Sequence, residues 1–195
     1  MGARRDELVR VARRLFVRGG PDAMTMRAVA KEVGITATAV YRHFADKDSL
    51  IEAVVAAGRD AFAAYLFDAL AGEGPRERLR LTGLRYLDFA IEHPEDYQVF
   101  FLSWDRLPPP PDQAGRTPPT RQFLMDRIAE CATAGLLREG TDPMRAAVFL
   151  WAEVHGLAAF WISGGARHAM PLEAFRALAA TCIEHAVASV LREQT

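Results

Sequence analysis

Gly34 stands between two short runs of helical periodicity, and the turn it permits constrains this chain more than any other feature. Before it, Val29, Ala30 and Val33 fall on one face at helical spacing; after it, Ile35, Val40 and Phe44 supply an apolar side. Two short helices joined by a tight turn, with a third beginning at Lys47, spell a helix-turn-helix. The other side of the second helix, Thr36, Ala37, Thr38 and Tyr41, is small or polar. Side chains entering a major groove must be short enough to let the backbone approach and polar enough to meet base edges and phosphates. Residues 1–48 are therefore predicted to form a DNA-binding domain, and residues 49–195 a second domain.

Net charge is only −1, which by itself speaks against a nucleic-acid partner, but its distribution reverses that reading. Residues 1–50 carry ten Lys and Arg against six acids, a net +4, while the rest of the chain carries fourteen against nineteen, a net −5. The positive end is the helix-turn-helix end, as phosphate binding requires.

The first helix shows the stripe Leu8, Val11, Ala12, Leu15 and Phe16 and is predicted to stop at Gly19-Gly20-Pro21. Thr25 sits where an N-cap belongs, and Arg27 falls in the first turn behind it. From Lys47, the apolar positions Leu50, Ile51, Val54, Val55, Phe62, Leu66 and Leu70 suit one long helix ended by Gly72 to Pro75. Further helices are expected over 79–91, 94–104, 121–137, 143–162 and 172–192, with a loop over 107–119, which holds six prolines. No alternating pattern long enough for a sheet occurs, so the fold class is all-α, with about nine helices in two domains.

The run TMRAVAKEVGITATAVYRHFADKDSL resembles the DNA-binding domain of the tetracycline-repressor (TetR) family, with its Gly-Ile turn, Tyr-x-His-Phe end and Lys opening the next helix. The resemblance implies a homodimeric, all-helical regulator, usually a repressor, that binds a palindromic double-stranded operator and is released by a small effector. It also implies roles: Thr25 and Arg27 at phosphates and groove edge, Thr36, Ala37 and Thr38 at bases, Tyr41 and His43 at phosphates, and Lys47 at a phosphate near the next helix. Threonine hydroxyls reach base edges or phosphates, an alanine methyl can touch a thymine methyl, and a tyrosine hydroxyl donates to a phosphate oxygen. With Ala37 and Ala39 where larger polar groups are common, part of the specificity is expected from DNA shape.

A second resemblance lies in Trp151-x3-His155-Gly156 together with Phe89-Ala-x3-Pro94-x2-Tyr97, which is similar to a ligand-binding C-terminal domain of one TetR branch. Trp151 and His155 share a helix face, and with Tyr86, Phe89, Phe101 and Trp104 they can line an apolar pocket with one polar handle. The same residues serve equally as core with one hydrogen-bonded histidine. An apolar or aromatic effector is the matching ligand. Small-residue seams run along the last two long helices, Ala152, Gly156 and Ala159 on one and Ala179, Cys182, Ala186 and Ser189 on the other. They suit either a four-helix dimer interface or packing within one chain, and the resemblance favours the dimer.

Rival classes fit less well. The five histidines show no ligand spacing, and HExxH, GxSxG, Walker and GxGxxG patterns are absent, so neither an enzyme nor a metal or cofactor site is expected. Glu153 and His155 lie two apart, a poor acid–base pair on a helix. A helical adaptor that binds only protein leaves the basic, threonine-rich helix unexplained; an activator of the same fold is the nearer alternative. Cys131 and Cys182 match no redox spacing, no secretory leader or membrane-length apolar run is expected, and the cytoplasm is the expected compartment.

Overall fold

The computed structural model of the chain describes residues 2–102 and 119–193, and among them the fold is all-α, with ten α-helices. The helices are α1 (Gly2–Ala23), α2 (Met26–Val33), α3 (Ala37–Tyr41), α4 (Lys47–Asp68), α5 (Pro75–Glu92), α6 (Pro94–Tyr97), α7 (Pro119–Thr133), α8 (Pro143–Ile162), α9 (Gly165–Ala169) and α10 (Leu172–Val190). A 3-10 turn, Ala69–Ala71, follows α4, and a π-helical turn, Gln98–Leu102, follows α6. The chain divides into two compact units, residues 1–61 with 93–114, and residues 62–92 with 115–195.

In the first unit, α1 breaks where the Gly-Gly-Pro stop was expected: Gly20 takes φ 72°, ψ −167°, leaving Pro21 to Ala23 as a separate last turn. Leu8, Val11, Ala12 and Phe16 on α1, Val29 and Ala30 on α2, Val40, Phe44, and Leu50, Ile51 and Val54 on α4 close one buried core, joined by Val99. Gly34 ends α2 at φ 75°, in the left-handed region where a side chain is strained; its N–H donates to Lys31 O and that of Ile35 to Ala30 O. α3 is shorter than its apolar pattern, so Phe44 lies beyond its end, in the turn to α4.

α6 is held to this core by a buried ion pair. Arg13 Nη1 on α1 donates to both carboxylate oxygens of Asp96 at 2.6 Å, and Asp96 is only 3% exposed. Gly58 of α4 makes the room: a Cβ there would meet Asp96 Oδ1 at 3.3 Å. A buried carboxylate is tolerable only when paired in this way.

In the second unit, α5 packs against α7, α8 and α10, and α8 against α7, α9 and α10. Leu79, Leu87, Phe89, Ile128, Leu150, Val154, Ala158, Phe175 and Ile183 are buried there. α8 begins as its sequence predicts, with the Asp142 carboxylate accepting the Arg145 N–H at 2.8 Å and Pro143 in the first turn.

Three expectations are corrected, and one helix is added. α7 runs Pro119–Thr133 rather than 121–137, because Gly135 at φ 69° turns the chain and Leu137 pairs with Leu191 in an antiparallel bridge. The added helix is α9, a single turn restarted behind Gly164 at φ 93°, which brings the expected nine or so to ten among the described residues. Leu70, placed on the apolar stripe of α4, lies in the 3-10 turn and is exposed. By length and composition, α8 is apolar enough to cross a membrane, against the sequence expectation. Ala146, Ala147, Leu150, Val154, Ala158, Trp161 and Ile162 of this helix are nevertheless buried, as in the core helix of a folded domain. Most of the proline-rich 107–119 loop lies outside the described residues, as does the end of the helix expected over 94–104.

Candidate nucleic-acid interface

Both helices of the reading module are capped by threonine. Thr25 Oγ1 accepts the Ala28 N–H at 3.1 Å and Thr36 Oγ1 accepts the Ala39 N–H at 3.2 Å. Each cap leaves its hydroxyl proton for an outside acceptor such as a phosphate oxygen. The cap at Thr36 went unnoticed in sequence, although Thr followed by a small-residue helix start is its usual signal. Thr38 and Arg27 are exposed, Tyr41 is 54% exposed, His43 and Lys47 are half-buried, and Ala37 turns partly against the core.

Arg42 is a further exposed cation that the sequence reading passed over. It sits four residues after Thr38, hence on the same side of α3, and that spacing was available to find it.

The four cations of the helix-turn-helix differ in their company from most arginines of the second unit. Among the described residues, Arg27, Lys31, Arg42 and Lys47 have no carboxylate within ion-pair distance, whereas Arg76, Arg78, Arg80, Arg85, Arg127 and Arg176 of the second unit are each paired with Glu or Asp. Arg138, Arg167 and Arg192 donate to backbone carbonyls there. The acid nearest the recognition turn is occupied too. Asp46 accepts the Ser49 N–H at 2.7 Å at the start of α4 while Ser49 Oγ accepts the Asp46 N–H at 3.2 Å, a reciprocal cap. Hydrogen bonds from Ser49, that of its backbone N–H foremost, hold the Asp46 carboxyl below its usual value of 3.8.

In the second unit, the structure gathers part of the aromatic set. The Tyr86 hydroxyl and His155 Nδ1 share a hydrogen bond of 2.9 Å, Trp151 stacks on the His155 ring, and Phe62 packs edge-on to Tyr86 and against Phe89. Burial pushes the His155 pKa below its usual 6.5, which favours the neutral ring. Phe101, in the first unit, packs on Tyr97 and Phe100. Helical spacing cannot report which unit a residue joins. Trp104 lies outside the described residues. Two clefts on this unit, of about 600 and 540 Å³, are lined by Arg78, Arg127 and Glu130 and by Arg76, Arg138 and Glu184, not by the aromatic set.

The small-residue seams divide as well. Ala152 and Gly156 are exposed and Ala159 half-buried, on a side of α8 that also shows Val148, Phe149 and Phe160. On α10, Ala179 and Ala186 turn inward and are buried in their own unit, while Cys182 is half-buried and the open side carries Ala174, Leu178, Thr181 and His185. A run of small residues does not say which side of a helix meets its own core, so the open face of α10 differs from the expected seam.

Comparison with known proteins decides the family. Residues 8–54 match the model described as bacterial regulatory proteins, tetR family, and residues 79–185, more than half the chain, match that of the tetracyclin repressor-like C-terminal domain. This chain belongs to the TetR family. It is a DNA-binding, ligand-responsive transcriptional regulator of that fold. An HTH-type transcriptional regulator of Mycobacterium tuberculosis is 26% identical over 82% of this chain and 71% of that protein. The transcriptional repressor KstR2 of Mycolicibacterium smegmatis is 37% identical over 47% of this chain, and the match spans 44% of the repressor's length. Among solved structures, the ketosteroid transcriptional regulator KstR2 of M. tuberculosis aligns over 99% of this chain and 97% of its own at a TM-score of 0.73 and 20% identity. A tetR-family regulator from Rhodococcus RHA1 aligns over the whole of both chains at a TM-score of 0.74 and 20% identity. At such identity the TetR-type likeness is one of fold.

Proposed function

We propose that this regulator is a repressor that binds a palindromic operator as a homodimer and leaves it when a small apolar or aromatic effector binds the C-terminal domain. The observation that carries the DNA half is the contrast in cation pairing. Among the described residues, Arg27, Lys31, Arg42 and Lys47 have no carboxylate within ion-pair distance, beside two capping threonines and an exposed tyrosine, and phosphates supply the missing anion. Thr25, Arg27, Tyr41, His43 and Lys47 position the module on the backbone, while Thr36, Ala37 and Thr38 face bases. One such helix reads few base pairs; two, held about one DNA turn apart, read a palindrome.

The exposed apolar side of α8 supports the dimer: Val148, Phe149, Ala152, Gly156 and Phe160 form a patch that a second copy covers. The division into a DNA-binding domain over 1–48 and a ligand-binding and dimerisation domain over 49–195 belongs to the same proposal, as does the C-terminal domain type read from Trp151, His155 and Gly156. The Tyr86–His155 pair inside an aromatic shell supplies one polar handle among apolar surfaces, which suits a lipophilic effector such as the ketosteroids named for one structural neighbour. Binding that favours the released form by 10- to 100-fold corresponds to about 1.4 to 2.7 kcal/mol of coupling.

The deciding experiment is a gel shift of the full-length protein on the region upstream of its own gene, with sedimentation to give the stoichiometry. A salt-sensitive shift by two protomers per site, weakened broadly by Tyr41→Ala without loss of fold, supports the proposal. A protein that stays monomeric, or has no salt-dependent affinity for any duplex, sinks it.

A further inference from the structure

Ahead of the helix-turn-helix, α1 carries a cation placed in an unusual way. The Arg5 guanidinium lies over the Phe44 ring, 4.9 Å from its centroid. Phe44 is buried and belongs to the turn between α3 and α4, the turn that also carries His43, Asp46 and Lys47. A residue nearly forty positions earlier in sequence is thereby fixed at the edge of the recognition module. Arg5 itself is exposed, and among the described residues it has no carboxylate within ion-pair distance.

Its neighbours make the contrast sharper. Arg4 is neutralised by Glu7 at 2.7 Å, and Arg18 lies 3.8 Å from Glu32. The acids beside the Phe44 turn are Asp46, held by its reciprocal cap with Ser49, and Asp48 in the first turn of α4; Asp6 is exposed next to Arg5 on α1. None of these is paired with Arg5.

We propose that Arg5 is a preset phosphate contact: an arginine held on the Phe44 ring so that its guanidinium grips the DNA backbone beside the α3–α4 turn. The inference rests on the DNA-binding reading above and adds a contact outside the helix-turn-helix. An aromatic face orients the planar guanidinium and leaves its edge N–H groups for two phosphate oxygens. An arginine already confined on a ring loses less freedom when it binds than a free one, so the contact gains affinity from being in place beforehand.

The test uses full-length protein and a duplex from upstream of its own gene, with affinity followed by anisotropy from low to physiological salt. Arg5→Ala is compared with Arg5→Lys and with Arg10→Ala. Arg10 is also exposed on α1, but five residues on, about 140° round the helix, so it removes the same charge from another side. The proposal expects Arg5→Ala to weaken binding about 5-fold at low salt and to lower the magnitude of the salt slope by about 1, with an unchanged melting temperature. Arg5→Lys keeps the slope and loses part of the affinity, since a point charge replaces a planar fork. Arg10→Ala moves the slope less than half as far. A wild-type slope in Arg5→Ala, or equal effects of Arg5→Ala and Arg10→Ala, overturns the contact, the second outcome leaving only a general positive field. If the wild-type protein itself binds no duplex, the DNA-binding reading has failed rather than the role of Arg5.

Discussion

Tyr86 and His155, on α5 and α8, are joined by a hydrogen bond of 2.9 Å between the phenol and Nδ1. The histidine is half-buried and its pKa lies below 6.5 because burial penalises the charged ring. The folded protein therefore resists a proton that the unfolded chain accepts. The contribution of this group is intact above pH 6.5 and is lost as pH falls from 6.5 through the lower folded value. Urea unfolding at pH 7.5 and 5.5 should show the decline, and His155→Phe should flatten it. Tyr86→Phe removes one hydrogen bond and should cost about 1 kcal/mol.

The Thr25 cap links stability to recognition. Thr25→Ala should cost about 1 kcal/mol by freeing the first-turn N–H of α2, and should also weaken operator binding. Thr25→Ser keeps the hydroxyl and should restore both, as measured by thermal melts and anisotropy in parallel.

The Arg13–Asp96 pair should behave as a buried charge pair. Asp96→Ala leaves Arg13 without its main partner and should cost about 3 kcal/mol, as should Arg13→Ala, while Arg13→Met with Asp96→Leu should recover much of that loss. A double variant that loses as much as the two single variants added together would refute the coupling. Chemical denaturation with a double-mutant cycle measures it.

The two thiols should differ in reactivity. Burial pushes the Cys131 pKa up to about 11, so it holds little thiolate at neutral pH. Cys182 is half-buried on α10. A maleimide or disulfide reagent should label Cys182 in the native protein and Cys131 only after unfolding; peptide mapping identifies the site.

The helix-turn-helix was legible because its determinants are local. Gly34 must take a positive φ, Thr25 must cap within three residues, and Val29, Val40 and Phe44 must face the same way. None of these depends on a distant partner. The aromatic cluster was only half legible. Tyr86, Phe89, Trp151 and His155 come together in the second unit and Phe101 packs on Tyr97, while periodicity gives a face and not what lies opposite it. The seam on α10 was ambiguous for the same reason: alanines suit a tight core and a close interface alike, and Ala179 and Ala186 are buried in their own unit. The Arg13–Asp96 and Arg5–Phe44 contacts were invisible because each joins residues far apart in sequence.

Gly156 sits mid-way along α8 with open space around it: a methyl group added there would touch nothing within 4 Å among the described residues of its own chain. Inside one protomer it is a plain weakness, since alanine at that position would hold the helix better by about 0.5–1 kcal/mol. A lone copy thus derives no benefit from the missing carbon. Only a neighbouring backbone running close along α8 would gain from the gap, so replacing Gly156 by alanine should stiffen the isolated chain while prying apart whatever lies across from it.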